Sequence, residues 1–215
     1  AAAVTEPAAA VTEPAAAVTA HRGSAEPAPG FMAAVLDGIR FAFADPPLRT
    51  TLLLSLVLNF ALNGPAAVGM PWLAAIRFEA GPTGLGLMSA GWAAGALAGT
   101  LVAGNVRVRH QGAALLAWVA VSGVAMLVVG TAGWLPVVVA ALAVMGLAIG
   151  YVNIVAISWL QARVPGEMGG RVMSLAMLMG FGITPLSLGM AGALLDLDAT
   201  ALFLGSGLLV LLVAA

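Results

Sequence analysis

Long apolar stretches divided by short charged ones organise this chain. No Asp, Glu, Lys or Arg interrupts Thr50–Ile76, Ala80–Val106, His110–Ala162, Val172–Leu195 or Ala199–Ala215. A bilayer core of ~30 Å takes about 20 apolar residues in a helix rising 1.5 Å per residue. Each stretch suits one span or nearly so. His110–Ala162 holds two, divided at Gly133-Trp134-Leu135-Pro136. The pattern therefore predicts six transmembrane helices: about Thr51–Ile76, Leu85–Gly104, Ala113–Gly130, a fourth from Pro136 to Gln161, Arg171–Leu195, and a sixth from Ala199. The sixth is still apolar at Ala215, without the polar or aromatic anchors that close a span, so a cut C-terminus is expected.

The N-terminal part has a different character. Ala1–Pro7 (AAAVTEP) recurs as Ala8–Pro14, and a third copy starts at Ala15 and decays. Ala, Pro, Thr and Glu without bulky residues cannot bury enough surface to fold, so residues 1–30 are expected to be a disordered linker or tail. They have neither the cationic start nor the apolar run of a signal peptide. In residues 31–44, Met32, Val35, Leu36, Ile39 and Phe43 recur at helical spacing, while Asp37 and Arg40 face away. That predicts an amphipathic interfacial helix, ended by Asp45-Pro46-Pro47. The six-helix bundle then occupies 48–215.

Composition agrees: 62% of residues are hydrophobic and 8% charged, against about 25% charged in a soluble domain. All eight cations are arginines. Arg40, Arg49, Arg107, Arg109, Arg163 and Arg171 fall in connectors that share one side of a six-span bundle, and only Arg77 lies opposite. Cations collect on the cytoplasmic side, so both termini are expected there, in a cell membrane.

The spans differ in kind. The first carries Ser55, Asn59 and Asn63 on one stripe, and the fourth carries Tyr151 and Asn153. The second is glycine-spaced at Gly91, Gly95 and Gly99. The fifth holds Gly180, Gly182, Gly189 and Gly192 around Pro185. The third and sixth are smooth Ala/Val/Leu helices suited to lipid. The order polar, small, smooth repeats after three spans. Because three is odd, the second triplet runs opposite to the first. The fold class expected is all-α: a polytopic membrane protein whose six transmembrane helices form an inverted 3+3 repeat.

Several motifs carry a family resemblance. Asp37–Thr50 (DGIRFAFADPPLRT) resembles the entry to the seventh helix of major facilitator exporters. Val164–Ser174 (VPGEMGGRVMS) is similar to the loop between helices ten and eleven in the group containing enterobactin exporters and macrolide-efflux-like proteins. Gly146–Asn153 (GLAIGYVN) resembles the tenth helix. The resemblance covers residues 31–215, the C-terminal half of such a transporter. It departs from the family at Asn105, where an acid would be expected, and at Gly170, which precedes Arg171 where many relatives have arginine first. The resemblance implies a partner, either an N-terminal six-helix half or a second copy. It also implies a small apolar or amphipathic substrate, exported by alternating access with proton antiport.

The candidate residues follow. Asn59, Asn63 and Asn153 are candidates for the substrate path; the plainer alternative is hydrogen bonding between helices. Pro65, Pro71 and Pro185 are candidate gates or hinges, or static kinks. Gly91, Gly95 and Gly99 form a packing seam, either within this bundle or toward the absent half. Arg163, Glu167 and Arg171 bracket a cytoplasmic loop as a switchable ion-pair set or a topology signal. Met173 and Met177, with Met179 and Phe181, are gap-filling core or a greasy binding wall. There is no cysteine, and the two histidines are His21 and His110, both outside the spans. That excludes thiolate chemistry, a buried Ser/His dyad and a histidine metal pair, so no cofactor, no metal and no enzyme is expected. Without a basic patch there is no nucleic-acid partner. The alternative to a transporter half is a non-transporting six-span fragment or an assembly subunit.

Overall fold

A computed structural model describes residues 39–105 and 111–215. The 1–30 repeat, residues 31–38 of the interfacial helix, and Arg107, Arg109 and His110 lie outside them. Among the described residues there is no strand. Helix α1 is the run Pro46–Arg77, and α2 is Gly81–Asn105. α3 is Gln111–Thr131, and α4 is Leu135–Arg163. The fifth span is broken into α5, Gly166–Phe181, and α6, Thr184–Leu197. α7 is Ala199–Ala214. Five of these runs, counting α5 and α6 as one, are long and apolar enough to cross a membrane. This is a polytopic membrane protein. α7 has 16 residues, about 24 Å at 1.5 Å per residue, less than a full hydrocarbon core.

The helix ends have local causes. Pro46 and Pro47 open α1, where a missing N–H costs nothing. Glu79 adopts a left-handed φ of 49°, and the N–H of Ala80 reaches back to the Ala74 carbonyl at 2.9 Å, closing α1. The Asp198 carboxylate accepts the Thr200 N–H at 2.8 Å, which caps α7 and permits the tight turn out of α6.

α1 is not a uniform helix. It is α-helical at Pro46–Gly64 and Met70–Trp72, and π-helical at Pro65–Gly69 and Leu73–Arg77. Two prolines remove two rungs, and the backbone widens instead of snapping. Pro185 sits differently from the other two. It opens α6, so the break in the fifth span lies just before it, at Gly182–Ile183.

Two of the packed helix pairs run parallel, and glycines bring a third, antiparallel pair together. α2 lies on α4 with Gly91 against Val139, Gly95 against Ala143 and Gly99 against Leu147. α1 lies on α5 and α6 with Asn63 at Thr184 and Gly64 at Ser187. α3 and α7 run antiparallel, with Gly123 at Gly207 and Gly130 at Phe203. α3 also packs on α4, and α1 on α7. The core forms three clusters along the bundle. One holds Leu73, Met88, Met126, Val129, Leu142 and Phe203. A middle one holds Leu58, Ala61, Val119, Val152 and Val210. The last holds Ala42, Leu48, Leu52, Leu160, Val172 and Leu175, near the Arg163 end.

Two expectations change. Ala42 is fully buried against the bundle with Ile39 and Phe41 beside it, while Phe43 is 37% exposed. Residues three apart share the buried face here, and Phe43 falls to its flank. The smooth helices are also not wholly lipid-facing. Val119, Ser122, Met126 and Val129 of α3 are buried, as are Leu202, Phe203 and Val210 of α7, because Gly123 and Gly207 let the two approach.

Candidate functional site

The first-span asparagines stand opposite the break in the fifth span. Asn59 Nδ2 donates to the Ser55 carbonyl on its own helix at 2.8 Å. It also lies close to Gly180, where an added Cβ would meet it at 3.7 Å. Asn63 Nδ2 donates across the interface to Thr184 Oγ1 at 3.1 Å. One turn on, Ser187 Oγ donates to the Phe60 carbonyl at 2.6 Å and accepts the Gly64 N–H at 2.8 Å. Asn59 and Asn63 are half-buried and Ser187 is 2% exposed. The result is an uncharged polar seam inside an apolar bundle. It can donate and accept hydrogen bonds but cannot carry a proton. Beside it, between α1, α6 and α7, runs a groove of about 370 Å³ lined by Phe60, Pro65, Met190, Leu202 and Ser206.

Asn153 does not join this seam. It sits exposed on α4, and no hydrogen bond ties it to the α1 pair among the described residues. Met173 is half-buried, whereas Met177 and Phe181 are exposed on α5, Phe181 at 74%. Thr184 and Ser187 were not singled out by sequence reasoning. Their signal was faint: two hydroxyls flanking Pro185 in an otherwise apolar run.

The glycine seam is occupied within the bundle. A Cβ at Gly91 would lie 2.9 Å from the Val139 carbonyl oxygen. At Gly95 it would strike the Ala143 carbonyl, and at Gly99 the Leu147 carbonyl. Gly146 and Gly150 on α4 return the contact against Trp92 and Ala96. Backbone meets backbone here, so this face does not wait for an absent partner.

At the end bearing the α1 N-terminus, Arg163 forms a two-pronged pair with Asp45. Its Nε donates to Oδ2 at 2.7 Å and its Nη2 to Oδ1 at 3.1 Å, with the guanidinium 5.5 Å from the Trp159 ring centre. Of the expected trio of Arg163, Glu167 and Arg171, Arg163 thus engages Asp45. Arg171 Nη1 approaches Met168 Sδ at 3.8 Å, and the Glu167 side chain lies outside the described residues. Asp45 was read in the sequence only as a helix stop.

The Arg163 hydrogen bond holds the Asp45 carboxyl below its ordinary value of 3.8, with desolvation opposing it in part. The sign follows from linkage. A lowered folded-state pKa stabilises above the unfolded value and is lost as pH falls through the folded one. Asp45→Asn is therefore expected to lower the melting temperature slightly at pH 7. The gap from the parent chain closes on acidification below 3.8 and shrinks in high salt. Differential scanning fluorimetry in detergent across pH checks this.

Among the described residues no group of His, Cys, Asp or Glu could hold a metal ion. No protein-family model matches the chain, and no solved structure does. The chain is similar to the multidrug efflux pump Tap of Mycolicibacterium fortuitum, with 31% identity over 188 residues. The alignment takes in 86% of this chain and 46% of that relative, so the chain spans about half the length of the curated protein it matches.

Proposed function

We propose that this chain is one half of an efflux transporter, working as a carrier and not as an enzyme. Its likeness to an efflux pump across 86% of its length is the observation that carries the reading. The geometry supports it. Helix packing repeats after three spans. α2 on α4 corresponds to the fifth span on the first, α3 on α4 to α7 on α1, and α3 on α7 maps onto itself. An inverted 3+3 repeat would give such a pattern, which supports that reading. It fits the C-terminal half of a major facilitator transporter, of the enterobactin and macrolide-efflux kind. The half would sit in a cell membrane with arginine-rich connectors and both termini toward the cytoplasm. An N-terminal half or a second copy would complete it. The two halves rock around a midplane path in alternating access.

An uncharged seam suits a small apolar or amphipathic substrate. Asn59 and Asn63 border the path, with Asn153 exposed on the corresponding helix of the second triplet. If export runs by proton antiport, the titrating group belongs to the other half. No Asp, Glu, Lys or Arg lies within the apolar stretches of this chain, and the one histidine there, His110, stands at an end.

The test is dye retention in cells expressing the chain with its complementary half. Asn59→Ala with Asn63→Ala is expected to slow efflux of a lipophilic cation about eightfold or more, since polar contacts in membranes are worth ~0.6–2 kcal/mol each. Unchanged efflux at normal membrane abundance removes the pair from the path. No efflux from the parent chain and half together removes the transport reading itself.

A further inference from the structure

We propose that Ser187 is a latch on α1 where it passes from α- to π-helix, and that α1 hinges at Gly64–Pro65 when the latch opens. In an unbroken α-helix the Gly64 N–H would donate to the Phe60 carbonyl. Here one hydroxyl engages both ends of that rung: Ser187 Oγ donates to Phe60 O at 2.6 Å and accepts from Gly64 N at 2.8 Å. A side chain inserted into the ladder is a recognised cause of helix kinks. The next rung cannot form at all, because Pro65 has no N–H. One rung of α1 is thus shared with a side-chain hydroxyl and the next has no donor, and the π-helical turns Pro65–Gly69 follow at once.

Gly64 makes the approach feasible. A Cβ there would lie 2.5 Å from the Ser187 carbonyl oxygen and 2.6 Å from Ala191 Cβ. The partner helix is soft at a nearby level. α6 begins at Thr184, just after the break, and puts Ser187 one turn in. The two parallel seams of the bundle therefore differ in kind. The α2–α4 seam is carbonyl against glycine and has no exchangeable bond. The α1–α6 seam is held by hydroxyl bonds that have alternatives close at hand. If Ser187 turns away, Gly64 N–H can bond Phe60 O directly, and the hydroxyl can bond a carbonyl one turn back on α6. Exchanging bonds this evenly keeps the cost of opening small at the latch itself, so the segment's other contacts, Arg77 to Gly130 and Thr200 among them, set the balance between the two states. The segment that swings is Pro65–Arg77. Its use as a gate rests on the transport reading above, but the latch itself does not.

The absence of native cysteine allows clean spin labelling. Labels at Ile76 and Leu197, 61% and 83% exposed, report the ends of α1 and α6. In lipid nanodiscs, Ser187→Ala is expected to shift or broaden their distance distribution by about 2–5 Å, the scale of interfacial helix shifts. Thr184→Ala, which removes the Asn63 bond but keeps the latch, leaves it unchanged. Should the alanine variant fail to fold, Ser187→Gly, which also removes the hydroxyl and adds no thiol, reads the same distance. A parent-like distribution in the folded Ser187 variant overturns the latch, and so does an equal shift in Thr184→Ala. The measurement needs no transport. A Ser187-dependent distance in a protein that moves no dye keeps the latch and sinks the transport reading.

Discussion

Gly95→Ala is expected to lower the melting temperature of the bundle by roughly 10 °C, and Gly104→Ala to leave it unchanged. The contrast separates packing from propensity. Both are glycines in α2, and alanine is the better helix former by up to ~1 kcal/mol in a helix interior. Propensity alone would make either change stabilising. At Gly104 nothing lies within 4 Å of an added Cβ. At Gly95 the methyl would strike the Ala143 carbonyl, whose carbon lies 2.7 Å away and whose Cα lies 2.9 Å away. These are backbone atoms of a continuous helix, and no rotamer change can relieve them. The two helices must separate, and that strips the neighbouring contacts at Gly91, Gly99, Gly146 and Gly150 together. Overpacking costs about 1–3 kcal/mol and occasionally more. In a chain of this size each kcal/mol moves the midpoint by about 2–4 °C. The check is thermal unfolding followed by size-exclusion chromatography in detergent. A Gly95→Ala protein as stable as the parent would show that α2 and α4 are not apposed in this register.

That seam also shows what sequence can and cannot carry. The spacing of Gly91, Gly95 and Gly99 declared a close-packed face, because glycine every fourth residue leaves a groove on one side of a helix. It did not say which helix fills the groove. The partner's contribution is carbonyl oxygens of Val139, Ala143 and Leu147, which any sequence would supply. The spans were legible because the cost of burying charge in lipid is large and local, and so it is written in every uncharged run. The breaks were less so. Pro65 and Pro71 mark the π-helical stretches of α1, but nothing local separates a sharp kink from a widened turn. Pro185 drew attention to the fifth span, yet the discontinuity falls before it, and the proline serves to start α6. Asp45 and Arg163 lie 118 residues apart, and Ser187 and Gly64 lie 123 apart. At such separations pairing depends on helix register, which hydropathy does not encode. Asn63 was visible as a polar residue in a greasy helix. Its acceptor, Thr184, became visible only when the parallel packing of α1 on α6 was known.

Arg77→Ala is expected to destabilise the bundle by about 1.5–3 kcal/mol, the range for hydrogen bonds to a charged group. Arg77 is the one cation that the span order sets apart from the other bundle arginines, and its contacts explain why it stands there. Nη1 donates to the Gly130 carbonyl at 2.6 Å and Nη2 to Thr200 Oγ1 at 3.4 Å. Gly130 lies in the last turn of α3, where carbonyls lack helical partners and the helix dipole is negative. Thr200 lies in the first turn of α7. One half-buried guanidinium at the end of α1 thus ties three helices that meet nowhere else by a side-chain bond among the described residues. Arg77→Lys keeps the charge but replaces a planar fork with a single ammonium, which cannot span both acceptors in this geometry. It should recover only part of the loss. Thermal unfolding of the three proteins checks the order: parent, then lysine, then alanine. If lysine equals the parent, charge at the end of α3 suffices and the fork to Thr200 contributes nothing. If alanine also equals the parent, the clasp is ornamental, and the closure of this end falls to the apolar cluster around Phe203 and Val129.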